Sequence, residues 1–70
     1  MMPLVLANAG EENIVRKIGG SPEVLQHLAD LGFNVGTVVT IVSTMGGNVI
    51  VKVKESRVAI SREMAQKIMV

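Results

Sequence analysis

The sequence predicts a mainly β fold with short helices, built as a small closed barrel of about five strands. Three observations favour this class. Runs rich in β-branched residues are only four to six residues long, glycine-containing turns separate them, and one helical period follows the first run. Closing a sheet into a barrel removes its exposed edges, which suits a chain of 70 residues that has no cysteine for disulfide bonds.

Composition and charge limit the function classes. The chain is 49% apolar and 19% charged, which predicts one globular domain over residues 1–70. Seven Lys and Arg are offset by six Asp and Glu, so positive charge is not concentrated as it is in most nucleic-acid-binding modules. The apolar segment Met2–Ala9 lacks the basic start and the length of a secretory signal. We therefore expect a cytoplasmic protein without membrane insertion, in which Met2–Ala9 forms an edge strand or a staple across the barrel.

The first strand and the main helix lie in the first half of the chain. The run Ile14–Ile18 is rich in β-branched residues and ends at Gly19-Gly20, which predicts the first full strand. Ser21 then provides a hydroxyl N-cap, and Pro22 occupies the first helical position. The helix is predicted from apolar residues that recur at helical spacing, namely Val24, Leu25, Leu28 and Leu31.

The next segment converts this helix into a strand. Gly32 follows the last periodic apolar residue, where helices commonly end in a left-handed residue. Phe33 is the only aromatic residue and is expected to pack back onto the core. Asn34–Gly36 predicts a turn, and Thr37–Val42 is almost entirely β-branched, which favours a strand over a helix.

A hairpin and further short elements are predicted in the second half. Met45–Asn48 contains Gly-Gly, which favours a tight hairpin turn, and Val49–Lys54 alternates valines with more polar residues as a half-buried strand does. Glu55-Ser56 is predicted to turn the chain into a strand over Arg57–Ile60. The last predicted elements are a short helix capped by Ser61 that runs through Met64, Ala65 and Ile68, and a final strand at Met69-Val70.

Several short motifs follow one another along nearly the whole chain. They are Gly10-Glu11-Glu12, Ile18-Gly19-Gly20, Leu28–Phe33, Val35-Gly36, Gly46–Val51 and Arg57–Ser61, followed by Ala65 and Ile68. Their order and spacing resemble the FeoA family, small cytoplasmic proteins of bacterial ferrous iron transport with an SH3-like barrel. The resemblance implies an SH3-like fold in which one helix follows the first strand and a short helix lies near the C-terminus.

The resemblance also implies a function. A FeoA-like protein would be an accessory and regulatory partner of the FeoB-type membrane ferrous iron transporter, whose cytoplasmic part hydrolyses GTP. It would act by protein–protein interaction in iron homeostasis, without catalysis and without a cofactor. Two features depart from the family pattern: His27 stands where many members have arginine, and many members have a longer hairpin that contains proline.

Candidates for chemistry are few. His27 is the only histidine, and Asp30 lies three residues later on the same helix face, which makes this pair a weak candidate for a metal site. Two ligands on one helix rarely hold a transition metal without further donors. The alternative interpretation of the pair is a solvated contact, and we expect no enzyme activity.

Partner binding is the function that the residues favour. Met45 at the predicted hairpin tip and Val35 between two turn-forming residues are candidate exposed apolar contacts, together with Gly46, Gly47 and Asn48. Two alternatives remain open. One is a small nucleic-acid-binding barrel, although a single aromatic residue offers almost no platform for base stacking. The other is a metal-sensing SH3-like domain with transition metal ion binding, since FeoA-like domains also occur fused to metal-dependent repressors.

Overall fold

The computed structural model describes residues 1–70 as two antiparallel sheets and two helices. One sheet has the strand order β1-β3-β4-β5, and the other pairs β2 with β6. The elements in chain order are a 3-10 turn at Leu4–Leu6, β1 Glu12–Ile14, β2 Lys17–Ile18, α1 Pro22–Asp30, β3 Val38–Met45, β4 Asn48–Val53, β5 Ser56–Ser61, α2 Arg62–Ala65 and β6 Ile68–Met69. The prediction of a mainly β fold with one inserted helix and a short C-terminal helix is confirmed.

The predicted first strand is divided between the two sheets. Ile14–Ile18 was expected to be continuous, but β1 ends at Ile14 and β2 begins at Lys17. Between them Val15 is buried in the core, and its N–H donates to the carbonyl of Thr37 at 2.9 Å. Arg16 donates instead to the carbonyl of Met69 at 2.8 Å. The chain therefore changes sheets at Val15-Arg16, a bend that a run of β-branched residues does not reveal.

Helix α1 begins and ends as its sequence predicts. The Ser21 hydroxyl accepts a hydrogen bond from the Val24 N–H at 3.3 Å. At the other end Gly32 has φ +104°, and the Phe33 N–H donates to the carbonyl of Leu28 at 2.9 Å. This second bond is that of a Schellman motif, which turns the chain back so that Phe33 is completely buried.

The strands of the larger sheet differ slightly from their predicted bounds. Strand β3 extends three residues beyond the predicted Val42, and its register with β4 shifts between Ile41 and Ser43, which marks a β-bulge. The turn after β4 occupies Lys54-Glu55, one residue earlier than predicted, because Lys54 adopts φ +56°. The alternation in β4 is confirmed, since every second residue from Val49 to Val53 is buried.

The ends of the chain complete the core. The N–H of Met2 donates to the carbonyl of Val70 at 2.9 Å, and the N–H of Val70 donates back at 2.8 Å. The first segment forms one isolated bridge, between Pro3 and Met69, and then a 3-10 turn, so it is not a continuous edge strand. Leu4 within it is completely buried. Ser61 caps α2 through the Met64 N–H at 3.1 Å as predicted.

Two boundaries near the C-terminus differ from the prediction. Helix α2 ends at Ala65, and Ile68 belongs to β6, not to the helix. The larger sheet also keeps two edges, because β1 and β5 stand at its ends and have one neighbour each. The expectation that closure leaves no edge is therefore wrong for this molecule, because its six strands are divided between two sheets.

The core consists of 13 buried apolar residues and contains no buried polar side chain.

Candidate docking surface at the hairpin tip

The β3–β4 hairpin ends in a surface made of the four residues Met45–Asn48, which we call the hairpin tip. Met45 pairs with Asn48, and Gly46 and Gly47 form the turn between them. Gly46 adopts φ +58°, the positive value that the first central residue of a primed turn requires. The Met45 side chain is 67% exposed. A flexible thioether chain is thus presented to solvent on a short turn, an arrangement suited to adaptable apolar contact.

The hairpin tip is attached to the rest of the fold on one side and open on the other. The carbonyl of Gly47 accepts a hydrogen bond from the N–H of Arg62 at 3.0 Å, which joins the turn to the first residue of α2. Apart from each glycine and its two chain neighbours, no heavy atom lies within 4 Å of the place where a side chain would begin at Gly46 or at Gly47. The turn is therefore fixed in position, while space for an approaching partner surrounds it.

Val35 does not belong to this surface. It is 68% exposed in the loop between α1 and β3, as the sequence predicts for its side chain. That loop precedes the first residue of β3, whereas Met45 is the last residue of the strand. Eight residues of extended strand span roughly 25 Å. The structure thus separates Val35 from the hairpin tip, and one small partner surface would not contact both.

The outer face of the sheet presents further apolar side chains that sequence analysis did not select. Ile14 and Val38 are paired across β1 and β3, and each is 46% exposed. Val42, at the β-bulge, is also exposed. The alternation around the buried Val39 was the feature that could have identified Val38 as outward-facing.

Beside these residues the sheet forms a shallow open depression of about 170 Å³. Its lining is mainly polar and charged, and consists of Glu12, Val38, Thr40, Lys52 and Lys54. The carboxylate of Glu12 comes from β1, and the two ammonium groups come from Lys52 of β4 and Lys54 in the turn that follows β4. The depression therefore carries a net positive charge on the outer face of the sheet.

The proposed metal pair is exposed on α1. Asp30 accepts a hydrogen bond from the Gln26 side chain at 2.8 Å, one turn earlier in the helix. His27 and Asp30 are joined by no side-chain hydrogen bond. The structure brings no three His, Cys, Asp or Glu residues together in a group that could hold a metal ion. His27 and Asp30 thus gain no third ligand from the fold.

None of the helices has the length and apolar character that crossing a membrane would require. The fold and its exposed turn define a small SH3-like β-barrel whose candidate site is a surface and not an enclosed pocket.

Comparison with known proteins identifies this barrel. The model of the FeoA domain family matches residues 2–70, and the chain belongs to that family. The chain is 41% identical over 70 residues to a protein of Methanocaldococcus jannaschii that carries the provisional name Fe(2+) transport protein A. The match covers all of this chain and 85% of the relative. The family and this relative place the chain among ferrous iron transport proteins of the FeoA type.

Solved structures show the same fold. A crystal structure of an iron uptake regulatory protein, FeoA, superposes with a TM-score of 0.88 at 27% identity, over 96% of this chain and 89% of the other. A manganese-dependent transcriptional repressor superposes with a TM-score of 0.85 at 20% identity, over 94% of this chain but only 38% of the repressor. The second likeness concerns the fold alone.

Proposed function

We propose that this chain is a cytoplasmic accessory protein that binds a FeoB-type ferrous iron transporter and regulates it through the hairpin tip. Membership of the FeoA family supports a role in ferrous iron transport. The partner is the cytoplasmic GTP-hydrolysing part of the transporter, to which a small barrel without a membrane-spanning helix has access. In this role the chain is a binding module and performs no chemistry on iron.

The observation that carries the proposal is the exposure of Met45 on a turn that the fold holds in place. An apolar side chain that is 67% exposed gains free energy when a partner covers it. Because the bond from Arg62 to Gly47 already fixes the turn, little conformational entropy is lost on docking. The hairpin tip therefore combines apolar area with preorganisation.

Retention of the chain on immobilised, detergent-solubilised FeoB-type transporter tests this proposal. We expect Met45→Asp to weaken retention roughly tenfold, because a buried unpaired carboxylate replaces an apolar contact at the centre of the interface. Val35→Asp is the matched control, since Val35 is 68% exposed and lies at the opposite end of β3. It should leave retention unchanged.

Each other result contradicts a defined part of the proposal. Equal retention of Met45→Asp and the parent chain would show that the hairpin tip is not the docking surface. A loss confined to Val35→Asp would place docking at the other end of β3. If the parent chain itself is not retained, the transporter is not its partner.

A further inference from the structure

Strand β5 is an open sheet edge. It has six residues, Ser56–Ser61, and stands at the end of the larger sheet with β4 as its only neighbour. The strand contains no proline and its register with β4 has no bulge, so two common means of protecting an edge are absent from it. The other edge strand of the larger sheet, β1, has only three residues. Edge protection is therefore weakest along β5.

The backbone groups that face outward from β5 follow from its register. Val53 and Ser56 flank the two-residue turn, so they form a hydrogen-bonded pair, and hydrogen-bonded pairs alternate along an antiparallel ladder. The N–H and C=O groups of Arg57, Ala59 and Ser61 consequently point away from β4. None of them takes part in the backbone hydrogen bonds that lie outside helices and strands. These groups form a free row of donors and acceptors, except that the carbonyl of Ser61, the N-cap of α2, accepts the first hydrogen bond of that helix.

Positive charge lies beside this row and is not neutralised within the sheet. Lys52 of β4 stands directly opposite Arg57, at a position where the ladder brings side chains closest together. Both are exposed, and neither takes part in a side-chain hydrogen bond. Lys54 adds a third cation two residues along the chain from Lys52. Like charges directly opposite each other destabilise a sheet, so an acidic neighbour beside Arg57 would relieve a repulsion that the fold retains.

We propose that β5 binds an extended, acid-bearing segment of a partner protein as an additional antiparallel strand. The backbone of the segment pairs with the free groups of Arg57, Ala59 and Ser61, and one of its carboxylates lies beside Arg57. Strand addition of this kind draws affinity from main-chain hydrogen bonds and specificity from alternate side chains. The inference rests on the proposed function only in that the partner is a protein, because β5 and the hairpin tip are separate surfaces.

A second copy of this chain would not supply an acidic side chain beside Arg57. Strand β5 has no acidic residue, and the nearest acid in sequence, Glu55, lies in the turn before it. If two copies paired through β5 as antiparallel strands, Arg57 would face Glu55 only in a register centred on Ser56. That register leaves most of each strand unpaired. Any register that pairs most of β5 places Arg57 opposite an uncharged residue.

The test uses the full chain and a synthetic peptide, acetyl-Val-Glu-Val-Glu-Val-Glu-Val-amide, followed in amide nitrogen–proton correlation spectra. Adding the peptide should shift the resonances of Ser56–Ser61 and slow hydrogen exchange at Arg57, Ala59 and Ser61. The matched control replaces each Glu of the peptide with Lys. We expect the Lys peptide to bind roughly tenfold more weakly, since one charge-assisted contact is exchanged for a like-charge one.

Two variants separate the contribution of backbone hydrogen bonds to peptide binding from the contribution of charge. Ala59→Pro removes one outward N–H without touching a bond to β4, and it should abolish the shifts along β5. Arg57→Glu keeps the whole backbone row and should weaken binding of the Glu peptide roughly tenfold while restoring binding of the Lys peptide. If Ala59→Pro does not fold, the charge exchange between Arg57→Glu and the two peptides still decides the question.

Shifts that lie outside β5, or equal binding of both peptides by the parent chain, would overturn this inference. Concentration-dependent shifts along β5 without peptide would show a second copy as the occupant and would overturn it as well. Because the peptide experiment contains no transporter, its failure leaves the retention results at the hairpin tip unaffected. If the transporter fails to retain the chain, the peptide experiment still decides whether β5 accepts an added strand.

Discussion

At the scale of single residues, Gly32 determines where the chain leaves α1. Its φ of +104° permits the hydrogen bond from Phe33 back to Leu28, and this bond carries the only aromatic side chain into the core. A side chain at Gly32 would approach the nearest atom of Val53 at 3.4 Å, which is ordinary contact. The requirement for glycine here is therefore one of backbone conformation and not of space.

Gly32→Ala should lower the free energy of unfolding by about 1–3 kcal/mol, because a residue with a Cβ is strained at this φ. Urea denaturation of the purified chain measures the change. The control is Gly47→Ala, since Gly47 has open space around it and no left-handed φ. It should alter stability by less than about 0.5 kcal/mol. Equal losses in the two variants would contradict the backbone explanation.

At the scale of elements, local sequence patterns predicted those features of the helices and turns that depend only on residues close together in the chain. The cap at Ser21, the end of α1 at Gly32 and the two-residue turn after Met45 all follow from short-range chemistry. The sheet change at Val15-Arg16 does not, since it depends on bonds to Thr37 and Met69 from distant parts of the chain. The free edge of β5 was missed for the same reason: a strand's second neighbour is a property of the whole sheet.

Reversing one charge between β4 and β5 should stabilise the fold. Arg57→Glu replaces the repulsion of Lys52 and Arg57 with an attraction across the same pair, worth roughly 0.2–1 kcal/mol. Urea denaturation at low salt measures it, and added salt should reduce the gain. The double variant Lys52→Glu with Arg57→Glu restores two like charges and should lose the gain. If it keeps the gain, the effect does not come from this pair.

At the scale of the whole molecule, the core is assembled from every part of the sequence. Leu4 comes from the first segment, Phe33 from the turn after α1 and Val70 from the last position, and all three belong to one cluster of 13 buried residues. The valines of β4 were predicted to face this core from their alternation alone. Leu4 was not, because its segment forms a 3-10 turn without strand or helix periodicity.

For Met45 and Val35, too, the sequence predicted a property of each residue but not the distance between them. The sequence predicted that each is an exposed apolar residue, and the structure agrees. Their separation along β3 became evident only from the assembled sheet, because residues ten positions apart lie close together in some folds and far apart in others.

Leu4→Ala should lower the free energy of unfolding by about 2–5 kcal/mol, the usual cost of a cavity in a packed core. Leu6 provides a matched control two residues away, because its side chain is 66% exposed while Leu4 is fully buried. Leu6→Ala should change stability by less than about 0.5 kcal/mol. Thermal or urea unfolding of both variants checks the prediction. Similar values for the two would mean that the first segment is not part of the folded core.

The reciprocal bonds between Met2 and Val70 bring the two ends of the chain side by side. A short flexible peptide would be enough to join them, and the resulting circle could be cut at the Lys54-Glu55 turn without removing any residue of the hairpin tip. Such a permuted gene would be translated in a new order and yet encode the same barrel. The fold therefore depends on which segments lie next to one another in space and not on the order in which they are synthesised.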